Sequence, residues 1–278
     1  MKLLNVRNGD VDLSVQVRGE GPTLLLLHGW PDSGALWDEM VPDFVDRGYR
    51  VAAPDLRGCG LSTKPTDTAS YKMARLVTDV ACIIDALGDE PVTLVGHDWG
   101  AALAWSAATY LPERVNHLVA LSVGHPSSFY SAGIEQQMRS WYMMLFSQDG
   151  LGEAFLRRND YEAIRRWSGH PHATEVIERL ERDGQMSAHL RWYRANVPLD
   201  AFVVDPPTLP PVEVPVLGVW SSADPALTER QMTRSGPYCA RGFTYVRLEG
   251  PGHWMMLEVP HDVSREILNF LDPLAPRS

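Results

Sequence analysis

The chain has 278 residues, 45% of them hydrophobic, and carries a formal net charge of -10. That length can bury a sizeable core, so the composition excludes a disordered chain and points to one large domain or a core with an insertion. The acidic balance, with no Lys/Arg cluster, argues against nucleic acid and anionic membrane, since both need a basic footprint.

From the N-terminus, "MKLLNVRNGDVDL" has too few apolar residues before Arg7 and Asp10 for a secretion signal, and no later apolar run reaches bilayer-spanning length. A soluble, cytoplasmic protein with no membrane partner is expected. "VDLSVQVRG" alternates with period two and reads as a half-exposed antiparallel edge strand following "KLLNVRNGD". "TLLLLHG" is a continuous apolar run, as in a strand buried on both faces. Residues 35–47 read as helical, "YRVAAPD" as a short buried strand, and 73–87 as a helix. "PVTLVG" is a strand, "AALAWSAATYL" a helix ending before Pro112, and "VNHLVALSV" a strand again. Strands alternating with helices indicate a mostly parallel sheet flanked by helices, whose ligands sit at the carboxyl ends of the strands.

From about residue 128 the pattern changes. "GIEQQMRSWYMMLF", "GLGEAFLRR", "YEAIRRW", "ATEVIERLERD" and "SAHLRWYRAN" all read as short helices. The Pro-rich "VDPPTLPPVEVP" then marks a boundary. Afterwards "VLGVWSSAD", a helix near 227–235, "FTYVRLEG" and a helix near 260–271 resume the β/α alternation. The expected organisation is an α/β core at 1–127 and 212–278, interrupted by a helical cap at 128–211.

The chemistry concentrates in "LVGHDWGAALAW". Gly96-His97-Asp98-Trp99-Gly100 has the form of a nucleophile elbow, a strained strand-to-helix turn whose glycines avoid a clash where the chain doubles back. A helix N-cap would also accept an aspartate at that position. An elbow needs a base and an orienting acid later in the chain, and Asp224 and His253 both fall just after strands, acid before histidine. Near the front, His28-Gly29-Trp30-Pro31 ends the first buried strand, where one backbone donor of an oxyanion hole belongs. The backbone N–H groups of Trp30 and Trp99 are the expected donors, Trp30-Pro31 is a place where a cis peptide is cheap, and His28 reads as a loop brace.

HGWP, GHDWG, Asp224 and the GHW at 252–254 resemble the α/β-hydrolase-fold epoxide hydrolases, and these motifs span the whole core in the expected order. The resemblance implies an α/β-hydrolase fold and a cofactor-free conversion of a small apolar epoxide to a vicinal diol. Asp98 would attack ring carbon and form an alkyl ester, and water activated by His253, held by Asp224, would hydrolyse it. A carboxylate suits this chemistry because it is already ionised at neutral pH. The epoxide oxygen needs a proton donor, which a tyrosine supplies. Four tyrosines lie in the expected cap: Tyr130, Tyr142, Tyr161 and Tyr193. "HLRWYRANVP" and "RSWYMMLF" resemble the family's donor segments, which makes Tyr193 and Tyr142 the candidates. Trp30, Pro31, Trp99, Trp141, Phe146 and Trp254 are expected to line an apolar pocket.

Haloalkane dehalogenases are the alternative, with Trp99 then a halide donor. Their usual second donor, an Asn after His-Gly, is replaced here by Trp30, and fluoroacetate dehalogenases carry an Arg where Trp99 stands. A binding-only role is disfavoured because every catalytic position holds a competent residue. His170 and His172 lack further ligands at metal spacing, the three cysteines form no CxxC pair, and neither a metal nor a phosphate cradle is expected. Nothing in the sequence decides between a monomer and a homodimer.

Overall fold

The computed structural model describes all residues except 89, 183, 199, 201, 202, 205–208 and 272–278. The strands are β1 (Lys2–Asn8), β2 (Val11–Arg18), β3 (Thr23–Leu27), β4 (Arg50–Pro54), β5 (Val92–His97), β6 (Val115–Leu121), β7 (Val216–Ser221) and β8 (Phe243–Leu248). They form one sheet in the order β1-β2-β4-β3-β5-β6-β7-β8. β1 with β2 and β2 with β4 pair antiparallel, and the remaining pairs are parallel.

From its alternation, "VDLSVQVRG" is expected at the sheet edge. The edge is instead β1, and β2 lies inside the sheet between β1 and β4. Its alternation survives because only one of its faces packs on the core: Val11, Leu13 and Val15 are buried while Asp12 is exposed.

β3 shows why a continuous apolar run is needed in the sheet centre. Leu25 and Leu27 join the cluster that includes α2 (Met73–Leu87) and α3 (Trp99–Tyr110) on one face. Leu24 and Leu26 join α1 (Val41–Asp46) and α12 (Pro260–Leu271) on the other. Successive side chains point to opposite faces, so both alternate sets must be apolar. The segment 35–47 splits into a 3-10 turn at Gly34–Trp37 and α1, which starts with a proline in its first turn.

Between β6 and β7 the described residues form no strand of the sheet but the helices α4 (Pro126–Tyr130), α5 (Ile134–Arg139), α6 (Trp141–Phe146), α7 (Leu151–Glu162), α8 (Ala173–Leu180) and α9 (Gln185–Asn196), with a single bridge from Val212 to Cys239. α7 is broken near its end, where Asn159, Asp160 and Tyr161 take left-handed backbone angles, and a π-helical turn follows at Ala163–Trp167. These helices share their own apolar cluster, which reaches the core through Trp30 and Trp99. Part of the Pro-rich segment read as a boundary, 205–208, lies outside the described residues. After β7 come α10 (Glu229–Thr233) and, beyond β8, α11 (Met255–Glu258). Among the described residues no helix is long and apolar enough to cross a membrane, and no group of three or more His, Cys, Asp or Glu side chains could hold a metal.

Candidate active site

β5 delivers Asp98 to the carboxyl edge of the sheet, immediately before α3. Its backbone sits at φ 53° and ψ -122°, a conformation that costs a non-glycine residue about 1–3 kcal/mol and persists only when its surroundings enforce it. The enforcement is steric. A Cβ on Gly96 would strike the Gly100 carbonyl, and one on Gly100 would strike the Leu27 carbonyl. The amides of Ala101 and Ala102 donate to the Asp98 carbonyl at 3.0 and 3.1 Å, so the helix begins directly on the turn.

The Asp98 carboxylate is gripped by backbone amides. The Trp30 amide donates to Oδ1 at 2.8 Å, and the Trp99 amide also bonds the carboxylate. Trp30-Pro31 is cis. The loop carrying Trp30 is braced by His28, whose Nε2 accepts from the Leu56 amide at 3.0 Å, so that Nδ1 carries the hydrogen and donates to the Gly29 carbonyl at 3.0 Å. Burial raises the Asp98 carboxyl above its ordinary value, against the lowering pull of His253 and the two amides.

The other oxygen faces His253, with Nε2 3.8 Å from Oδ2. His253 follows β8 and Asp224 follows β7, and the Nδ1 of His253 lies 2.8 Å from Asp224 Oδ2. A carboxylate only accepts, so Nδ1 carries the hydrogen and Nε2 is the basic atom. Asp224 Oδ1 in turn accepts from the amides of Ala226 and Leu227 at 2.8 and 2.9 Å. Burial alone would lower the His253 pKa, but the Asp224 charge and hydrogen bond, with Asp98 behind them, leave it raised.

Opposite this row stand Tyr142 from α6 and Tyr193 from α9, ring centroids 6.2 Å apart. Both line the space around Asp98. Burial, reinforced by the Asp98 charge, pushes both phenols well above their ordinary value; a hydrogen bond from the Trp99 side chain partly opposes this at Tyr193. Buried phenols of this kind stay protonated and can donate.

The space divides into two cavities. One of about 550 Å³ is bounded by Asp98, Trp99, Tyr142, Tyr193 and apolar residues of α2, α3 and α4. The other, about 30 Å³, is bounded by Trp30, Trp167, Ala226, His253 and Trp254 with the same Asp98, Tyr142 and Tyr193. Of the pocket residues expected from sequence, Trp30, Trp99 and Trp254 line these cavities, whereas Pro31, Trp141 and Phe146 line neither. Phe146 is fully buried one layer behind, its ring centroid 5.1 Å from that of Tyr193. Trp141 turns outward, 44% exposed, because its neighbour Tyr142 takes the inward face of the helix. Pro31 offers only its carbonyl, which accepts from Arg179.

Sequence reasoning missed two supports. His97 is buried beneath the histidine, and its Nε2 donates to the His253 carbonyl at 3.0 Å. Asp32 is a buried carboxylate joined to Trp254 Nε1 at 2.9 Å, His170 Nε2 at 3.1 Å and Arg179 at 3.3 Å. His170, just before α8, is therefore occupied with Arg179 of α8 in tying this segment to the HGWP loop. The one signal for this was a carboxylate directly after HGWP.

A model of the alpha/beta hydrolase fold matches residues 22–260. The chain belongs to the alpha/beta hydrolase fold family. Within that family it is 29% identical to AB hydrolase superfamily protein YfhM of Bacillus subtilis, over 97% of each chain. It is 30% identical to epoxide hydrolase 3 of Xenopus tropicalis, over 90% of this chain and 71% of that protein. The crystal structure of Bacillus megaterium epoxide hydrolase in complex with an inhibitor superposes with a TM-score of 0.85 at 27% identity, covering 98% of this chain and all of that one. The resemblance to epoxide hydrolases read from HGWP and GHDWG thus extends over the whole fold.

Proposed function

We propose that the protein is an epoxide hydrolase that forms an alkyl ester on Asp98. The observation that carries this reading is a carboxylate, rather than a hydroxyl, on the strained elbow, facing a histidine–aspartate pair and two buried tyrosines. Its resemblance to proteins named epoxide hydrolases supports the same reading.

Asp98 Oδ2, the oxygen nearer His253, attacks one ring carbon from behind. The C–O bond opens, and Tyr142 and Tyr193 donate to the departing oxygen, which leaves as a hydroxyl. His253 Nε2 then takes a proton from water, whose oxygen attacks the Asp98 carbonyl carbon. The negative charge that develops falls on Oδ1, where the Trp30 amide already points. Collapse expels the alkoxide carrying the oxygen that had belonged to Asp98; it takes the proton from the His253 imidazolium and leaves as the diol, and the proton left on the Asp98 carboxyl returns to the tyrosine that gave up its own. Asp224 holds the imidazole tautomer and stabilises the imidazolium. We read residues 128–211 as the cap that brings in the tyrosines, the substrate as an apolar epoxide, and the chemistry as needing no cofactor.

Haloalkane dehalogenation is the second reading. The buried Trp30 indole N–H, which has no hydrogen-bond partner among the described residues, favours it. Assaying the purified protein on styrene oxide and on a halobutane separates the two. Diol without halide is the expected result; halide without diol would replace the first reading with the second.

A further inference from the structure

The two cavities meet at the reacting atoms and differ greatly in size. Asp98, Tyr142 and Tyr193 line both, so an epoxide held between nucleophile and donors sits at their junction. On one side lies about 550 Å³, within the range that accommodates a drug-sized ligand. On the other lies about 30 Å³. A water needs roughly 10–15 Å³ of such space, so the small side admits the hydrolytic water beside His253 but no hydrocarbon arm. Beyond the reacting groups it is lined by Trp30, Trp167, Trp254, Ser168, Pro225 and Ala226, and Trp30 and Trp254 are buried.

The large cavity has a direction. Trp99, Ala102, Ser106 and Tyr110 all line it, and their spacing puts them in one stripe along α3. At about 1.5 Å per residue, the path from Asp98 to Tyr110 is about 18 Å. Ala102 and Ser106 keep the floor low, Val77 of α2 contributes a wall, and Tyr110, 57% exposed, marks the outer end. Among the described lining residues Asp98 is the one with a formal charge. A charged tail would find no counter-ion there and would lose its hydration.

We infer that the preferred substrates are epoxides bearing a single long, uncharged, apolar substituent, laid along α3, with the second ring carbon unsubstituted. This rests on the reading of the chain as an epoxide hydrolase and specifies its substrate class. A trans mid-chain epoxide sends two arms in opposite directions, and the small cavity has no room for one of them.

The test compares the terminal epoxide of dodecane with its trans mid-chain isomer, using the terminal epoxide of butane and styrene oxide as small controls. Both long substrates share composition, so their difference reports shape. The terminal isomer is expected to have the higher kcat/KM by at least about tenfold, the scale on which pockets reject surplus methylenes. Equal values, or a preference for the mid-chain isomer, would overturn the inference while leaving epoxide hydrolysis intact. No diol from any of the four would overturn the underlying reading and this one with it. Filling the groove with Ala102→Phe should cut kcat/KM for the dodecane epoxide by about tenfold or more and spare the butane epoxide. Val77→Phe, from the facing helix, should do the same should the first variant fail to fold. Equal losses on long and short substrates in a folded variant would contradict the placement along α3.

Discussion

At the strand ends, the groups proposed to react are held by directional bonds: Asp98 Oδ1 by the Trp30 amide, His253 Nδ1 by Asp224 Oδ2, and Asp224 Oδ1 by two further amides. In the helices between β6 and β7, the two tyrosines are held mainly by ring contacts, with one hydrogen bond from the Trp99 side chain to Tyr193. Tyr142 meets Trp167 at 4.9 Å between centroids, and Tyr193 meets Trp99 and Phe146 at 5.1 Å each. Hydrogen bonds fix an atom in distance and angle, whereas ring packing fixes a surface and tolerates adjustment. The first kind of support suits a nucleophile and base that must hold one geometry; the second suits donors and walls that must fit a substrate. Substitution should therefore be all-or-none at the strand ends and graded in the helices.

The largest effect is expected for Asp98→Ala, which removes the attacking atom and should abolish diol formation; full turnover by that variant would break the comparison at its root. His253→Gln should stop turnover but not alkylation, giving one equivalent of bound substrate per chain by intact mass. Free steady-state turnover would show that the histidine is not the base. In the helices, Tyr142→Phe and Tyr193→Phe should each lower kcat/KM by about 10- to 100-fold, and the double variant by about 10²- to 10⁴-fold, in line with general-acid contributions. A single substitution as damaging as the double one would mean the tyrosines act as a unit and the grading is false.

Smaller effects concern support and charge. Asp32→Ala leaves His170, Arg179 and the Trp254 indole without their common partner and should cost about 3 kcal/mol of stability by denaturant unfolding. The pH profile follows from the shifts. Burial raises Asp98, so kcat/KM should be lost on acidification at a pH above the ordinary carboxylate value of about 4. His253 is raised as well, so kcat, which needs its neutral form, should fall through a limb above about 6.5. Both tyrosines are raised, so no alkaline loss attributable to them should occur below about pH 10.

How much of this was legible in sequence follows the same division. The elbow, HGWP and the order of Asp224 before His253 are local patterns tied to strand ends, so Asp98, Trp30, Asp224 and His253 could be named before the fold was known, and the structure brings them together. The alternation of β2 gave its burial but not its neighbours, because which strand pairs with it depends on the chain hundreds of atoms away. Tyr142 and Tyr193 were reachable only through resemblance. The pocket walls were read least well: Trp141, next to Tyr142, is sent outward by the helical turn, while Phe146, four residues on, shares the inward face of Tyr142 but packs a layer behind it. The cavity floor at Ala102 and Ser106 carried no signal, since small residues on a buried helix usually mean close packing rather than open space.

The most direct test of the ester on Asp98 is a single turnover in heavy-oxygen water with enzyme in excess over epoxide, followed by mass analysis of the diol and of the peptide containing Asp98. The mechanism predicts label in the Asp98 carboxylate and none in the diol, because the diol leaves with the carboxylate's own oxygen. Label in the diol and none in Asp98 would mean that water attacks the epoxide directly, and the elbow carboxylate would then be no nucleophile.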